Sequence, residues 1–149
     1  MITEYFYFNS PFPILPQNKK RMVTEITEGV KVSVEAIYQP EYSNPENEHF
    51  MFAYKITIEN MSDYNVQLLR RHWFIFDSNG THREVEGEGV IGQQPLIAPG
   101  ERYEYVSGCN LKSDMGSMQG SYQMLREIDG AVFDVVIPKF HLIPDHKLN

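Results

Sequence analysis

A chain of 149 residues with 42% apolar and 22% charged residues has the length and composition of one ordinary globular domain. Its formal net charge of −7 argues against a general nucleic-acid or anionic-membrane binder, which would carry a basic face, while leaving room for a local basic patch. The lone cysteine, Cys109, excludes an internal disulfide, no apolar run is long enough to span a bilayer, and the first residues lack the basic-then-apolar order of a secretory signal, so the expected location is the cytoplasm.

Residues 1–21 stand apart. They carry aromatics, Pro11, Pro13 and Pro16, and a Lys19-Lys20-Arg21 cluster, with no sustained period. Met22 then opens a well-patterned segment. We therefore divide the chain into an N-terminal extension, 1–21, and a domain, 22–149. One reading makes Met22 the initiator and leaves 1–21 disordered, packed on nothing. The other makes the extension real, with Tyr5, Phe6, Tyr7, Phe8 and Phe12 docked on the domain or on a partner. Termini are poorly ordered unless tied down, so contacts separate the two readings.

Over Val30–Tyr38 the alternation is clean: Val30, Val32, Val34, Ala36 and Tyr38 share one side, with Lys31, Ser33 and Glu35 on the other. A period of two predicts a strand with one wet face. Residues 39–48 read as a loop from their Pro, Asn and Ser content. A second strand follows at 50–59, with Phe50, Phe52, Tyr54, Ile56 and Ile58 on one side. Residues 60–65 turn the chain. Asn60-Met61-Ser62 matches a glycosylation sequon, and without a secretion route it reads as chance.

Residues 66–76 form the most apolar strand and hold the only tryptophan, Trp73. We expect Trp73 at the centre of the core, between two sheets, with Ile75 on its side. The alternation weakens around Phe74 and Ile75, which predicts a bulge near Arg70-Arg71 or cover on both faces. Ser78-Asn79-Gly80 supplies a hairpin turn, and 81–86 returns as a short strand. Residues 87–100 are irregular and contain Pro95 and Pro99. Residues 102–107 form a strand with Tyr103 and Tyr105 on one side, and 108–116 a connection. Residues 117–127 pair by pattern with 131–137 across Asp129-Gly130. Pro138 is expected to stop regular pairing, and 145–149 is a polar tail. Seven or eight short strands without an amphipathic helix predict an all-β sandwich, with a small barrel as the alternative.

Gly87-Glu88-Gly89-Val90-Ile91-Gly92 matches the dinucleotide-binding string. That string works where a strand hands over to a helix, whose amides and dipole meet pyrophosphate. Here Gln93-Gln94-Pro95 leads into more loop, and Glu86 and Glu88 put negative charge where phosphate would sit. The reading against a site is that the glycines permit a tight loop between strands. A nest of amides for an anion needs no helix, so Gly87, Gly89 and Gly92 stay candidates for ligand binding. Arg70, Arg71 and His72 join them, because with His82 and Arg83 across the hairpin they form the one basic cluster, and the guanidinium fork suits phosphate and carboxylate. The competing reading is a structural ion-pair set with Asp77, Glu84 and Glu86. Cys109 has no nearby histidine in sequence and reads as an inert buried thiol. His49, His72, His82, His141 and His146 never show ligand spacing, so no metal ligand is assigned.

The segments VTEITEGVKVSVEAIYQPEYSNP, FAYKITIEN, VQLLRRHWFIFDSNG, EVEGEGVIGQQPLIAPGERYEYVSG, GSMQGSYQM and VFDVVIPKFHL, in this order, resemble the bacterial ApaG (CorD-like) family from about residue 22 to 142. The resemblance implies a fibronectin type III-like, immunoglobulin-type β-sandwich and no established enzymatic activity. It also implies a link to magnesium efflux and cobalt resistance. Related domains in F-box and DNA-polymerase-interacting proteins imply a protein-interaction role. The family's glycine string, proposed to bind pyrophosphate, maps here to Gly87, Gly89 and Gly92.

The expected function is a non-catalytic, cytoplasmic protein-interaction module that uses exposed strand edges and the loop 87–100, with an unidentified protein partner. The alternative is a binder of a phosphate-containing small molecule, such as pyrophosphate or a nucleotide, or of a divalent cation. A hydrolase is the third reading and has no readable nucleophile–base pair behind it. No cofactor, nucleic acid or membrane is expected.

Overall fold

The computed structural model describes residues 4–6 and 21–147. Among them run β1 (Glu4–Phe6), β2 (Val23–Thr27), β3 (Val30–Tyr38), β4 (Phe50–Asn60), β5 (Val66–Asp77), β6 (His82–Glu88), β7 (Leu96–Ile97), β8 (Arg102–Leu111), β9 (Gly116–Arg126) and β10 (Ala131–Leu142). The first sheet has the order β1-β8-β4-β3-β2. The second has the order β10-β9-β5-β6, with β7 also paired to β5. The chain crosses between the sheets at β4–β5, β7–β8 and β8–β9. The result is the all-β sandwich expected from the pattern, in the immunoglobulin-like form that the family resemblance implies.

The core is what the alternation dictates. Val32 and Val34 from β3 and Phe52, Tyr54, Ile56 and Ile58 from β4 meet Leu68, Trp73 and Ile75 from β5 and Met118, Tyr122 and Met124 from β9. Each fully buried side chain of this size contributes about 1.5–3 kcal/mol. Trp73 sits at the centre, fully buried, with ring centroids 5.4 Å from Tyr54 and 5.9 Å from Phe140. Tyr105 and Tyr122 join their hydroxyls across the two sheets, so neither buries an unpaired O–H. Arg83 Nη2 donates to the Asn110 carbonyl at 3.2 Å and ties β6 to β8. Thr27 Oγ1 accepts from the Val136 amide at 3.1 Å and ties β2 to β10.

The bulge expected near Arg70 is present. The register of β5 against β9 shifts between Leu68 and Arg70. Four expectations change. Ser33 and Glu35 are buried, so the second side of β3 is covered rather than wet. Pro138 does not stop β10, because a bulge between Ile137 and Phe140 absorbs it and pairing resumes to Leu142. The strand from Arg102 runs on to Leu111, which leaves a shorter connection than 108–116. The ten strands among the described residues exceed the expected seven or eight. β1 and β7 have 3 and 2 residues, too few to show a period, and β2 is an edge with only its ends half-buried.

The expectation that residues 1–21 pack on nothing fails at Glu4–Phe6, which pairs with β8 over Ser107–Cys109. The cause is the backbone of β8, whose outer edge offers unpaired amides and carbonyls to any extended segment within reach. Arg21 also reaches the domain, with Nη1 2.6 Å from Asp145 Oδ1. The rest of that expectation lies outside the described residues.

Asn60 is fully buried. Its Nδ2 donates to the carbonyls of Tyr64 (2.7 Å) and Ile97 (2.9 Å), and its Oδ1 accepts from the Ser62 amide and hydroxyl. The sequon is therefore a structural pin for the β4–β5 crossing, because a glycosylation acceptor lies on the surface.

Candidate functional site

The glycine string closes on itself. β6 carries its first half, and no helix follows. Val90 and Gln93 exchange backbone hydrogen bonds of 2.8 and 2.9 Å around Ile91 and Gly92, whose φ angles are +51° and +67°. Positive φ at both central residues is the pattern of a type I′ hairpin turn. The Gly89 amide donates to the Leu69 carbonyl at 2.8 Å, at the β5 bulge. A Cβ on Gly89 would lie 2.1 Å from the Gln93 carbonyl oxygen, and one on Gly87 would lie 2.6 Å from Arg71 Nη1. The close approach that these glycines permit is therefore to the chain's own backbone and to Arg71. Arg71 Nη1 donates to the carbonyls of Glu88 and Gly89, both at 3.1 Å. Gln94 Nε2 donates to Leu69 O (2.9 Å) and Gln67 Nε2 to Gln94 O (3.1 Å), which holds the loop to β5.

The basic cluster does not gather on one face. Register places Arg71 and Arg83 on the Trp73 side of the sheet, and Arg70, His72 and His82 on the outer side. His72 is held by two carboxylates: Nε2 lies 2.7 Å from Glu84 Oε1 and Nδ1 lies 3.2 Å from Glu86 Oε1. Arg70, Arg71 and His72 nevertheless all border one small polar cleft of about 130 Å³, with Glu86, Ser121, Gln123 and Asp134. Arg83 sits in the rim between the sheets, 3.5 Å from Asp77 Oδ2. Burial lowers its proton affinity, and Cys109 and Asp77 oppose that shift. Asp77 is buried and accepts from the Lys112 amide (2.8 Å) and the Ser113 hydroxyl, so this carboxylate ties down the 112–115 connection. The ion-pair reading accounts for Arg83 with Asp77 and for His72 with two glutamates, and Arg70 faces solvent.

A larger feature lies beside it and escaped sequence reasoning. On the outer face of β5, Phe74 and Phe76 are 45% and 38% exposed. They floor an open groove of about 470 Å³ whose rim includes His82, Glu84, Ser117, Gln119 and Lys139. The rings run in a row. The His72 and Phe74 centroids are 4.4 Å apart, and those of Phe76 and His82 are 4.9 Å apart. β9 lines the groove with short or amide side chains, which leaves the aromatic surface open. The signal in the sequence was the failed alternation of Trp73-Phe74-Ile75-Phe76: two rings too many for one buried face.

Cys109 is 1% exposed, with Sγ 3.8 Å from the Asn110 carbonyl, as expected of an inert thiol. Among the described residues no group of three or more His, Cys, Asp or Glu is arranged to hold a metal ion. No described helix is long and apolar enough to cross a membrane.

Comparison with known proteins agrees with this architecture. The ApaG domain family matches residues 40–126. Protein ApaG of Anaeromyxobacter dehalogenans is 45% identical over 128 residues, covering 86% of this chain and 100% of the relative. Protein ApaG of Pseudomonas aeruginosa is 53% identical over 113 residues, covering 76% and 89%. The crystal structure of the ApaA protein from Bordetella pertussis superposes with a TM-score of 0.77 at 42% identity, covering 79% of this chain and 95% of that one. Sequence and fold lead to one conclusion: the chain belongs to the ApaG family.

Proposed function

We propose that this chain is a non-catalytic cytoplasmic interaction module whose binding surface is the outer face of the second sheet. One observation carries the reading. Phe74 and Phe76 stand exposed side by side on a central strand, above a groove of about 470 Å³. Aromatic side chains with rigid support are the residues that anchor protein interfaces. β5 supplies that support, because its other face is the Trp73 core. The expected surface moves accordingly, since the loop 87–100 spends much of its polar capacity on itself. A pyrophosphate ligand there draws less support for the same reason: the Gly89, Val90 and Gln93 amides already donate within the chain. A link to magnesium efflux and cobalt resistance would run through the protein partner rather than through an ion bound directly by this domain.

The test is a photo-crosslinking amino acid at Phe76 in the producing cell. A discrete protein adduct, absent when the same group replaces the exposed Glu41 far from the groove, supports the module. Loss of that adduct on Phe74→Ser would place the contact on this face. Absence of any adduct from either Phe74 or Phe76 would refute it.

A further inference from the structure

Resting on that reading, we infer that the groove takes an extended acidic segment of a partner protein, with apolar side chains laid on Phe74 and Phe76 and a carboxylate held by Lys139. The charge around the groove points this way. Its one carboxylate, Glu84, is already bonded to His72 at 2.7 Å. Lys139 is exposed and forms no ion pair among the described residues, and His82 stands at the rim against Phe76. The cation that no carboxylate meets at this spot is therefore Lys139, on a chain of net charge −7. A cationic segment would have to stand beside Lys139, and the one groove carboxylate it could meet, Glu84, is shared with His72.

The position of Lys139 has a structural cause. Between the pairs Ile137↔Gly120 and Phe140↔Met118, β10 advances three residues while β9 advances two. The extra residue is a bulge, the device that re-aims a side chain beside a site. Pro138 has no amide to lose from the ladder and is buried, and Lys139 is turned out to the groove. A lysine on a flexible stem adds little affinity at an exposed rim. It selects the sign of the partner's charge and speeds the encounter.

Two capped peptides test this on the full chain: acetyl-Asp-Leu-Asp-Phe-Asp-Leu-amide and its counterpart with lysine at each aspartate. Titration is followed by backbone amide NMR shifts. The expected result is that the aspartate peptide binds about threefold more tightly, moves the β5 and β9 amides around Phe74 and Phe76, and weakens with added salt. Lys139→Glu should erase that preference, and Phe74→Ser with Phe76→Ser should remove binding of both peptides while amide dispersion stays native. Equal or tighter binding of the lysine peptide, no binding of either, or an unchanged preference in Lys139→Glu would overturn the acidic occupant. The module reading is judged separately by the crosslinked adduct, so a groove that captures a partner but prefers the lysine peptide refutes only this inference.

Discussion

Arg71 and Gly89 are locked together: the guanidinium Nη1 donates to the Gly89 carbonyl at 3.1 Å, across the same hairpin that brings Arg71 against Gly87. A string that resembles a phosphate cradle is here a means of letting an arginine and a tight turn share one strand edge. Gly89 and Gly92 are not equivalent. Gly89 has both a positive φ of +60° and a carbonyl 2.1 Å from where a Cβ would be, whereas Gly92 has a φ of +67° and open space. Gly89→Ala is therefore expected to cost about 2–4 kcal/mol, strain plus overpacking, and Gly92→Ala about 1 kcal/mol, strain alone. Urea unfolding monitored by Trp73 fluorescence measures both. Equal costs would mean that the close approach relaxes freely.

Trp73 has Tyr54 and Phe140 at edge-on or tilted angles and no exposed surface. Trp73→Ala is expected to destabilise by about 3–5 kcal/mol, the range for deleting a large buried aromatic. Its indole Nε1 is buried without a hydrogen-bond partner among the described residues. Trp73→Phe should therefore cost distinctly less than the alanine change, because it removes the same unpaired donor while keeping one aromatic ring in the core. Thermal and chemical unfolding of the two variants read this directly. A phenylalanine variant as unstable as the alanine one would show that the retained ring finds no packing in the core.

The inner face was legible because its physics is local. Val30 to Val34 and Phe52 to Ile58 alternate every two residues, and that period places them in the core before any contact is known. Even the β5 bulge near Arg70 was anticipated, from the weak alternation around Phe74 and Ile75. The outer face was not legible, because its groove depends on register. Phe74, Glu84 and Gln119 are far apart in sequence and become neighbours only when β5, β6 and β9 align. The basic cluster misled for the same reason in reverse: Arg70 and Arg71 are adjacent in the chain, and adjacency in a strand puts side chains on opposite faces. Lys139 depended on a bulge in β10, and Pro138 beside it suggested an end of pairing instead.

Two ionisable groups give opposite pH limbs. The Asp129 carboxyl is held below its usual range, first by the hydrogen bond from Arg126 and then by the Ala131 amide. The unfolded chain then binds the proton more readily, so this pair's contribution is present above about pH 4 and is lost as pH falls. Tyr103 is raised by burial. Its folded form keeps the proton longer, so its contribution is present below about pH 10 and is lost as pH rises. Melting temperature against pH, compared among the native chain, Asp129→Asn and Tyr103→Phe, checks both. Asp129→Asn should flatten part of the acid limb and leave the alkaline limb alone, and Tyr103→Phe should do the reverse. Asp129 is exposed, so its effect is a small change of slope.

The pairing of Glu4–Phe6 with Ser107–Cys109 makes the start of the chain part of the first sheet. Without it, β8 becomes an edge strand, and its outer amides open to water. Deleting residues 1–21 also removes the bond from Arg21 to Asp145, at a spot where both side chains are partly exposed and the pair is worth little. The expected outcome is local. Amide hydrogen exchange should speed up at positions 107–109 of the truncated chain, while amides in β5 and β9 around Trp73 keep their protection, because β1 pairs in the other sheet. A modest fall in melting temperature should accompany it, larger than that of Arg21→Ala in the full chain. If exchange at 107–109 is unchanged by the deletion, the strand pairing does not persist in solution, and the domain is complete from Met22 onward.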